Sequence, residues 1–373
     1  MPTFSLTSLL EIPYIALAFI PALTAFFVAY GVTPLVIRFA TKLNIVDDPK
    51  KNKHPKVIHT YPVPRAGGLA IYAGIVIASL IFLPADRHLT GILIGATAAV
   101  LLGLADDKLN LNPYFRLIVQ FLVACVPIAA GIGIPFITNP VSGIINLSQP
   151  QLSFILFGVE RNIWILSSIF AVFWIMFLMN MLNMGAKGVD GQLPGVTVVA
   201  AITIAALSLR FSADITQWPV IILASITAGA YLGFLPWNFF PQKIMPSYSG
   251  SMMAGYLLAV LSILSTTKVG TLLVVLGIPI ADTSYTIIRR VVSGKSPVWG
   301  DRGHLHHKLL DIGMSKRQVS YFYWLTSAIL GAVALNLNSS YKLYTIIGVV
   351  FFVGGLLLWL TYQIHLSNKK SSK

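Results

Sequence analysis

From residue 13 to residue 365 the chain is a succession of apolar runs, each near the length of a bilayer-crossing helix, separated by short polar segments. Hydrocarbon offers no water to the backbone N–H and C=O groups, so a run of about 20 apolar residues is read as a membrane-spanning helix. Eleven spans are predicted, near 13–38, 66–84, 88–105, 115–137, 161–182, 194–212, 218–236, 249–265, 269–289, 319–337 and 342–365. The expected fold is therefore all-α: a polytopic membrane protein whose residues 1–373 form a single membrane-embedded domain. With 56% hydrophobic and 10% charged residues the chain is far from soluble proteins, in which about a quarter of residues are charged. The first run lacks a preceding basic stretch and reads as a helix rather than a cleaved signal. The single cysteine, Cys125, cannot form an internal disulfide. Residues 138–160 are too polar and turn-rich to span and are expected to form a short extracytoplasmic hairpin.

The net charge of +14 resembles a nucleic-acid footprint, but the basic residues follow the spans instead. Of the 26 Lys and Arg, 21 fall at span ends or loops on one side; Arg87, Arg161, Arg210, Lys268 and Lys342 are the exceptions. Loops rich in Lys and Arg stay cytoplasmic. The N-terminus is thus expected outside, the C-terminus in the cytoplasm, and no nucleic-acid partner is expected.

Eight of the twelve acids share the basic side: Asp47, Asp48, Asp106, Asp107, Asp190, Asp282, Asp301 and Asp311. Carboxylates at helix ends among cations suit phosphate chemistry assisted by Mg²⁺, which takes one or two carboxylates plus phosphate oxygens. A zinc protease is disfavoured, because the His-Glu-x-x-His spacing is absent and neither glutamate lies on that side.

Four constellations lie there. Adjacent Asp106 and Asp107 end a span before Pro113 and Arg116; like charges beside a membrane are costly unless a cation or proton holds them, although a solvated acidic turn is the plainer alternative. Asn180 and Asn183 share a helix face ahead of a glycine-rich loop with Lys187 and Asp190, where glycines let a backbone approach phosphate or merely end the helix. The segment 54–68 joins His59, Pro62, Pro64 and Arg65 to a glycine pair and reads equally as a rigid connection. Lastly, "DRGHLHHKLL" at 301–310 sets Arg302, His304, His306 and His307 in a basic loop over 289–318. Three imidazoles can ligate a metal, donate to an anion or face water.

Together these motifs resemble the polyprenyl-phosphate N-acetylhexosamine-1-phosphate transferases, particularly the undecaprenyl-phosphate GlcNAc-1-phosphate branch. The resemblance rests on "PVPRAGG" at 62–68, the Asp pair, the Asn-x-x-Asn helix leading to the Asp-Gly of 190–191, and "DRGHLHHKLL". It implies a cytoplasmic catalytic cleft in the cell membrane, transfer of a sugar 1-phosphate from a UDP-N-acetylhexosamine to undecaprenyl phosphate with release of UMP, and Mg²⁺, or Mn²⁺ in its place, as cofactor. It further implies catalytic roles for Asp106, Asp107 and Asp190, and metal ligation by Asp107, Asn183 and Asp190. Substrate contacts are expected from Arg65, Asn180, Lys187, Asn238, Arg302, His304, His306 and His307, and the lipid bilayer and a second copy of the chain as partners.

Two positions depart from the family pattern: Lys187 stands where an acid is usual, and Tyr248 where the family has a magnesium-ligating aspartate. Two other readings accordingly remain, a catalytically silent relative that binds lipid phosphate or UDP-sugar, and a lipid transporter.

Overall fold

The computed structural model describes residues 15–52, 57–139, 143–156, 159–265, 268–296 and 302–371. Asp301 lies outside them. The helices are α1 (Ile20–Lys42), α2 (Gly68–Phe82), α3 (Arg87–Leu109), α4 (Pro113–Ala129), α5 (Ile165–Gly185), α6 (Gln192–Leu209) and α7 (Trp218–Asn238), then α8 (Ser247–Leu264), α9 (Lys268–Val275), α10 (Gly277–Val292), the short α11 (Leu305–Asp311), α12 (Lys316–Asn336) and α13 (Ser339–Ser371).

Among the described residues eight helices are long and apolar enough to cross a membrane: α1, α3, α5, α6, α7, α8, α12 and α13. The pair α9 and α10 is apolar enough for one more crossing when taken together, and is bent by 82° at its break, as in a broken span or a re-entrant loop. Its break falls at Gly277 and Pro279; proline tolerates the first helical turn but not a helix interior. Eight to nine crossings among the described residues are thus long enough where eleven were expected; the other two predicted spans are occupied by α2 and α4, apolar helices of fewer than 18 residues, and the chain is an all-α, multi-pass membrane protein.

One span is shorter than predicted. The run expected over 115–137 stops at Ala129, because Gly131 (φ +95°), Gly133 and Pro135 turn the chain into a strand. Two antiparallel ribbons follow, Phe136–Thr138 (β3) with Ile144–Asn146 (β4), and Gln151–Leu156 (β5) with Val159–Trp164 (β6).

Nearly every residue of α8 is buried, and α2, α3, α5, α6, α7 and α9 all pack on it. Small residues make this approach possible, as between helices in lipid generally. A Cβ on Gly255 would lie 2.4 Å from the Met179 backbone of α5, and one on Gly103 of α3 would lie 2.2 Å from the Ser249 backbone. Hydrogen bonds tie the polar side chains of the interior: Trp174 Nε1 donates to Ser262 Oγ at 2.8 Å, and Tyr256 Oη to the Ile92 carbonyl at 3.0 Å.

At one end of the bundle a minimal ribbon, β1 (Val46–Asp47) with β2 (Val63–Pro64), anchors the loop before α2. The Met245 N–H donates to the Pro64 carbonyl at 2.8 Å and the Gly67 N–H to the Met245 carbonyl at 3.0 Å. These bonds bring the Pro-Arg-Ala-Gly-Gly turn of residues 64–68 against the start of α8.

Candidate active site

At that end lies a cavity of about 670 Å³, walled by the loop around His59 and Arg65, the α3–α4 turn, the α5–α6 loop, the α7–α8 loop and α11. Of the residues singled out in the sequence, Arg65, Asp106, Asn183, Lys187, Asp190, Asn238 and the three histidines 304, 306 and 307 line it. Asp107, Asn180 and Arg302 do not.

Asp106, in the last turn of α3, accepts from the Leu111 N–H at 3.1 Å and lies 3.4 Å from Arg116 Nη1. Asp107 is fully committed to protein donors. Its Oδ1 accepts from Ser247 Oγ at 2.5 Å, the Tyr248 N–H at 3.0 Å and Arg65 Nη2 at 3.3 Å, and its Oδ2 from Ser249 Oγ at 2.8 Å and the Ser249 N–H at 3.4 Å. An α-helix leaves its first N–H groups without intrahelical acceptors, and Asp107 supplies them for α8 from a neighbouring helix. Asp107, expected to be catalytic and a metal ligand, is thus seen capping the start of α8. Arg65 joins this knot, donating also to Ser247 Oγ at 2.9 Å and Asn110 Oδ1 at 3.1 Å.

Two further residues expected to contact substrate lie outside the cavity lining. Asn180 donates to Gln120 Oε1 at 2.9 Å, and Gln120 Nε2 donates to the Tyr248 hydroxyl at 2.8 Å; Asn180 ties α5 to α4. Arg302 is exposed and paired with Asp311 at 2.7 Å, away from the cavity. Asn238 lines the cavity, yet its amide accepts from the Gly191 N–H at 2.9 Å and donates to the Ile244 carbonyl at 2.9 Å. It positions the loop carrying Asp190.

In the α5–α6 loop Lys187 Nζ donates to Asn183 Oδ1 at 2.5 Å, and Ser251 Oγ donates to the same oxygen at 2.9 Å. Asp190 differs: it is buried, neither carboxylate oxygen completes a hydrogen bond, and Lys316 Nζ stands 3.7 Å from Oδ1, an ion-pair distance. Burial raises the Asp190 carboxyl above the usual carboxylate range, and the nearby Lys316 charge only partly opposes the rise.

The histidines are folded inward. His304 Nδ1 lies 3.0 Å from Asp282 Oδ2, and Asp282 Oδ1 accepts from the Leu305 N–H at 2.8 Å, fixing the start of α11. The His304 and His306 rings stack at 5.5 Å. Burial, reinforced by His307 and then His304, holds His306 well below the usual imidazole range, so it is neutral.

The metal triad expected from resemblance does not fit this geometry. Asp107 has both oxygens saturated, and the Asn183 oxygen is occupied by an ammonium and a hydroxyl, leaving Asp190 alone. Among the described residues no three His, Cys, Asp or Glu side chains converge as a cation site. Sequence reasoning gave no site role to Asp282 or to Gln192. The latter, buried, accepts the Gly188 N–H at 2.8 Å and the Val189 N–H at 3.1 Å and so shapes the loop. A glutamine directly after Asp-Gly at a helix start was its one signal.

Comparison with known proteins agrees with the fold and the motifs. A family profile described as glycosyl transferase family 4 matches residues 89–266. A probable undecaprenyl-phosphate N-acetylglucosaminyl 1-phosphate transferase of Bacillus subtilis is 32% identical over 337 residues, covering 87% of this chain and 86% of the relative. A decaprenyl-phosphate N-acetylglucosaminephosphotransferase of Mycobacterium tuberculosis is 29% identical, covering 85% and 81%. An undecaprenyl-phosphate alpha-N-acetylglucosaminyl 1-phosphate transferase of Escherichia coli O157:H7 is 26% identical, covering 86% and 84%. With that identity sustained along nearly its whole length, the chain belongs to glycosyl transferase family 4.

Proposed function

We propose that the protein transfers N-acetylglucosamine 1-phosphate from UDP-N-acetylglucosamine to undecaprenyl phosphate, starting a cell-wall or surface polysaccharide. An oxygen of the lipid phosphate attacks the sugar-linked phosphorus; the new P–O bond forms as the bond to the UMP oxygen breaks, and UMP leaves. Two polyanions have to meet, so the site must offset their repulsion and accept any proton on the attacking phosphate.

The observation that carries this reading is Asp190. It is a buried carboxylate held by a 3.7 Å ion pair to Lys316 rather than by close hydrogen bonds, in the wall of a cavity whose other walls bear Lys187, Arg116 and the histidines. A carboxyl raised by burial is a stronger base than an ordinary one, and Asp190 takes the role of proton acceptor. Lys187 and Arg116 face the phosphates, and His304, oriented by Asp282, meets the donor. Mg²⁺ or Mn²⁺ would find one carboxylate here, Asp190, without close hydrogen bonds but ion-paired to Lys316, and no step above is assigned to it.

The basic end of the bundle is assigned to the cytoplasm of a cell membrane, with the N-terminus outside. Purified protein in detergent, given UDP-N-acetylglucosamine and undecaprenyl phosphate, is expected to release UMP only when both are present. Binding of the donor without UMP release under any condition would favour the silent-relative reading instead.

A further inference from the structure

Lys187 and Tyr248 come from different helices and loops and meet in the cavity wall. Asn183 receives the Lys187 ammonium at 2.5 Å, and Ser251 Oγ holds the amide from its other side at 2.9 Å. The Lys187 Nζ stands 5.7 Å from the centre of the Tyr248 ring, and the Arg116 guanidinium carbon stands 4.8 Å from it. Both distances are within the range at which an aromatic face attracts a cation. The ring itself is fixed, since its hydroxyl accepts from Gln120, which Asn180 holds in turn.

An amide oxygen and an aromatic face are neutral, so neither of these two partners cancels the charge of the ammonium they seat. The same seat excludes a divalent ion. An ion on Asn183 Oδ1 would have to share that oxygen with the ammonium, and two cations a few ångströms apart repel strongly in a partly desolvated cavity. A lysine ammonium is a compact charge well suited to phosphate oxygens.

We infer that Lys187, seated on Asn183 and Tyr248, supplies the cation for the diphosphate of the nucleotide-sugar donor, so that the donor binds without a divalent metal. This rests on the transferase reading for the identity of the donor. It deepens that reading by naming which charge meets the diphosphate.

The test is equilibrium binding of UDP-N-acetylglucosamine to the full-length protein in detergent, by calorimetry, in excess chelator and in excess Mg²⁺. The wild type is expected to bind with the same affinity in both, within about twofold. Lys187→Ala is expected to weaken binding in chelator by roughly tenfold or more, the size of a lost charge-assisted hydrogen bond. The pair Lys187→Asp with Tyr248→Asp is expected to make binding depend on divalent metal, and to create a Mn²⁺ site visible by electron paramagnetic resonance. Wild-type binding that appears only with Mg²⁺ overturns the inference and leaves the transferase reading standing. Absence of binding under both conditions overturns both. The wild-type comparison needs no variant, so a misfolded mutant cannot obscure the result.

Discussion

Asp282, fully buried in α10, holds His304 Nδ1 at 3.0 Å on one oxygen and the Leu305 N–H at 2.8 Å on the other. The carboxylate accepts on both sides, so the imidazole donates from Nδ1 and its Nε2 is left to the cavity. An asparagine can accept on one side only. With its oxygen kept on Leu305, its NH₂ would confront His304 and force the other tautomer. Asp282→Asn is therefore expected to lower transfer on the order of a hundredfold, as for a misaligned group in an active site. Turnover of the purified variant measures this, and unchanged turnover would remove Asp282 from the positioning of His304.

Asp107 gathers five donors around the start of α8. Asp107→Asn turns one acceptor oxygen into a donor facing Ser249, so it is expected to cost about 1–3 kcal/mol of stability, as for a buried group left unsatisfied. The thermal midpoint in detergent should fall along with activity. A variant that is inactive at an unchanged midpoint would restore the chemical role first expected of Asp107.

Asp190 is raised by burial, and the consequence for stability has a definite sign. At low pH it is protonated in the folded and unfolded chain alike. As pH climbs through the ordinary carboxylate range the unfolded chain ionises first, and the folded state loses stability until the raised folded value is passed. Asp190→Asn is thus expected to be inactive but more stable than wild type at neutral pH, with the gain fading as pH falls. Lys316→Met removes the opposing charge and should widen the difference. Unfolding scans between about pH 4 and pH 8 test this; a gain that does not change with pH would contradict it.

Gly188 lies under the His306 ring so closely that an added Cβ would come within 2.1 Å of the imidazole. Gly188→Ala must displace the ring, and transfer is expected to drop at least tenfold, again through misalignment. Because the damage passes through His306, Gly188→Ala combined with His306→Ala should be no worse than His306→Ala alone, the signature of coupled residues. Additive losses in that double-mutant cycle would show that Gly188 acts independently.

The sequence alone determined the solvent in which the chain folds and which end of the bundle is polar. Runs of about 20 apolar residues have one structural solution in lipid, and the clustering of Arg, Lys, Asp and His between them marks one end. It also identified Asp106, Lys187, Asp190 and the histidines, all of which line the cavity. Tertiary structure decided which polar residues face that cavity and which hold the bundle together. Asp106 and Asp107 are neighbours in sequence, yet successive residues of a helix point in different directions. One meets the cavity, and the other meets Ser247, Tyr248 and Ser249. A carboxylate is available to substrate only if no donor has claimed it, and the donors come from helices distant in the chain.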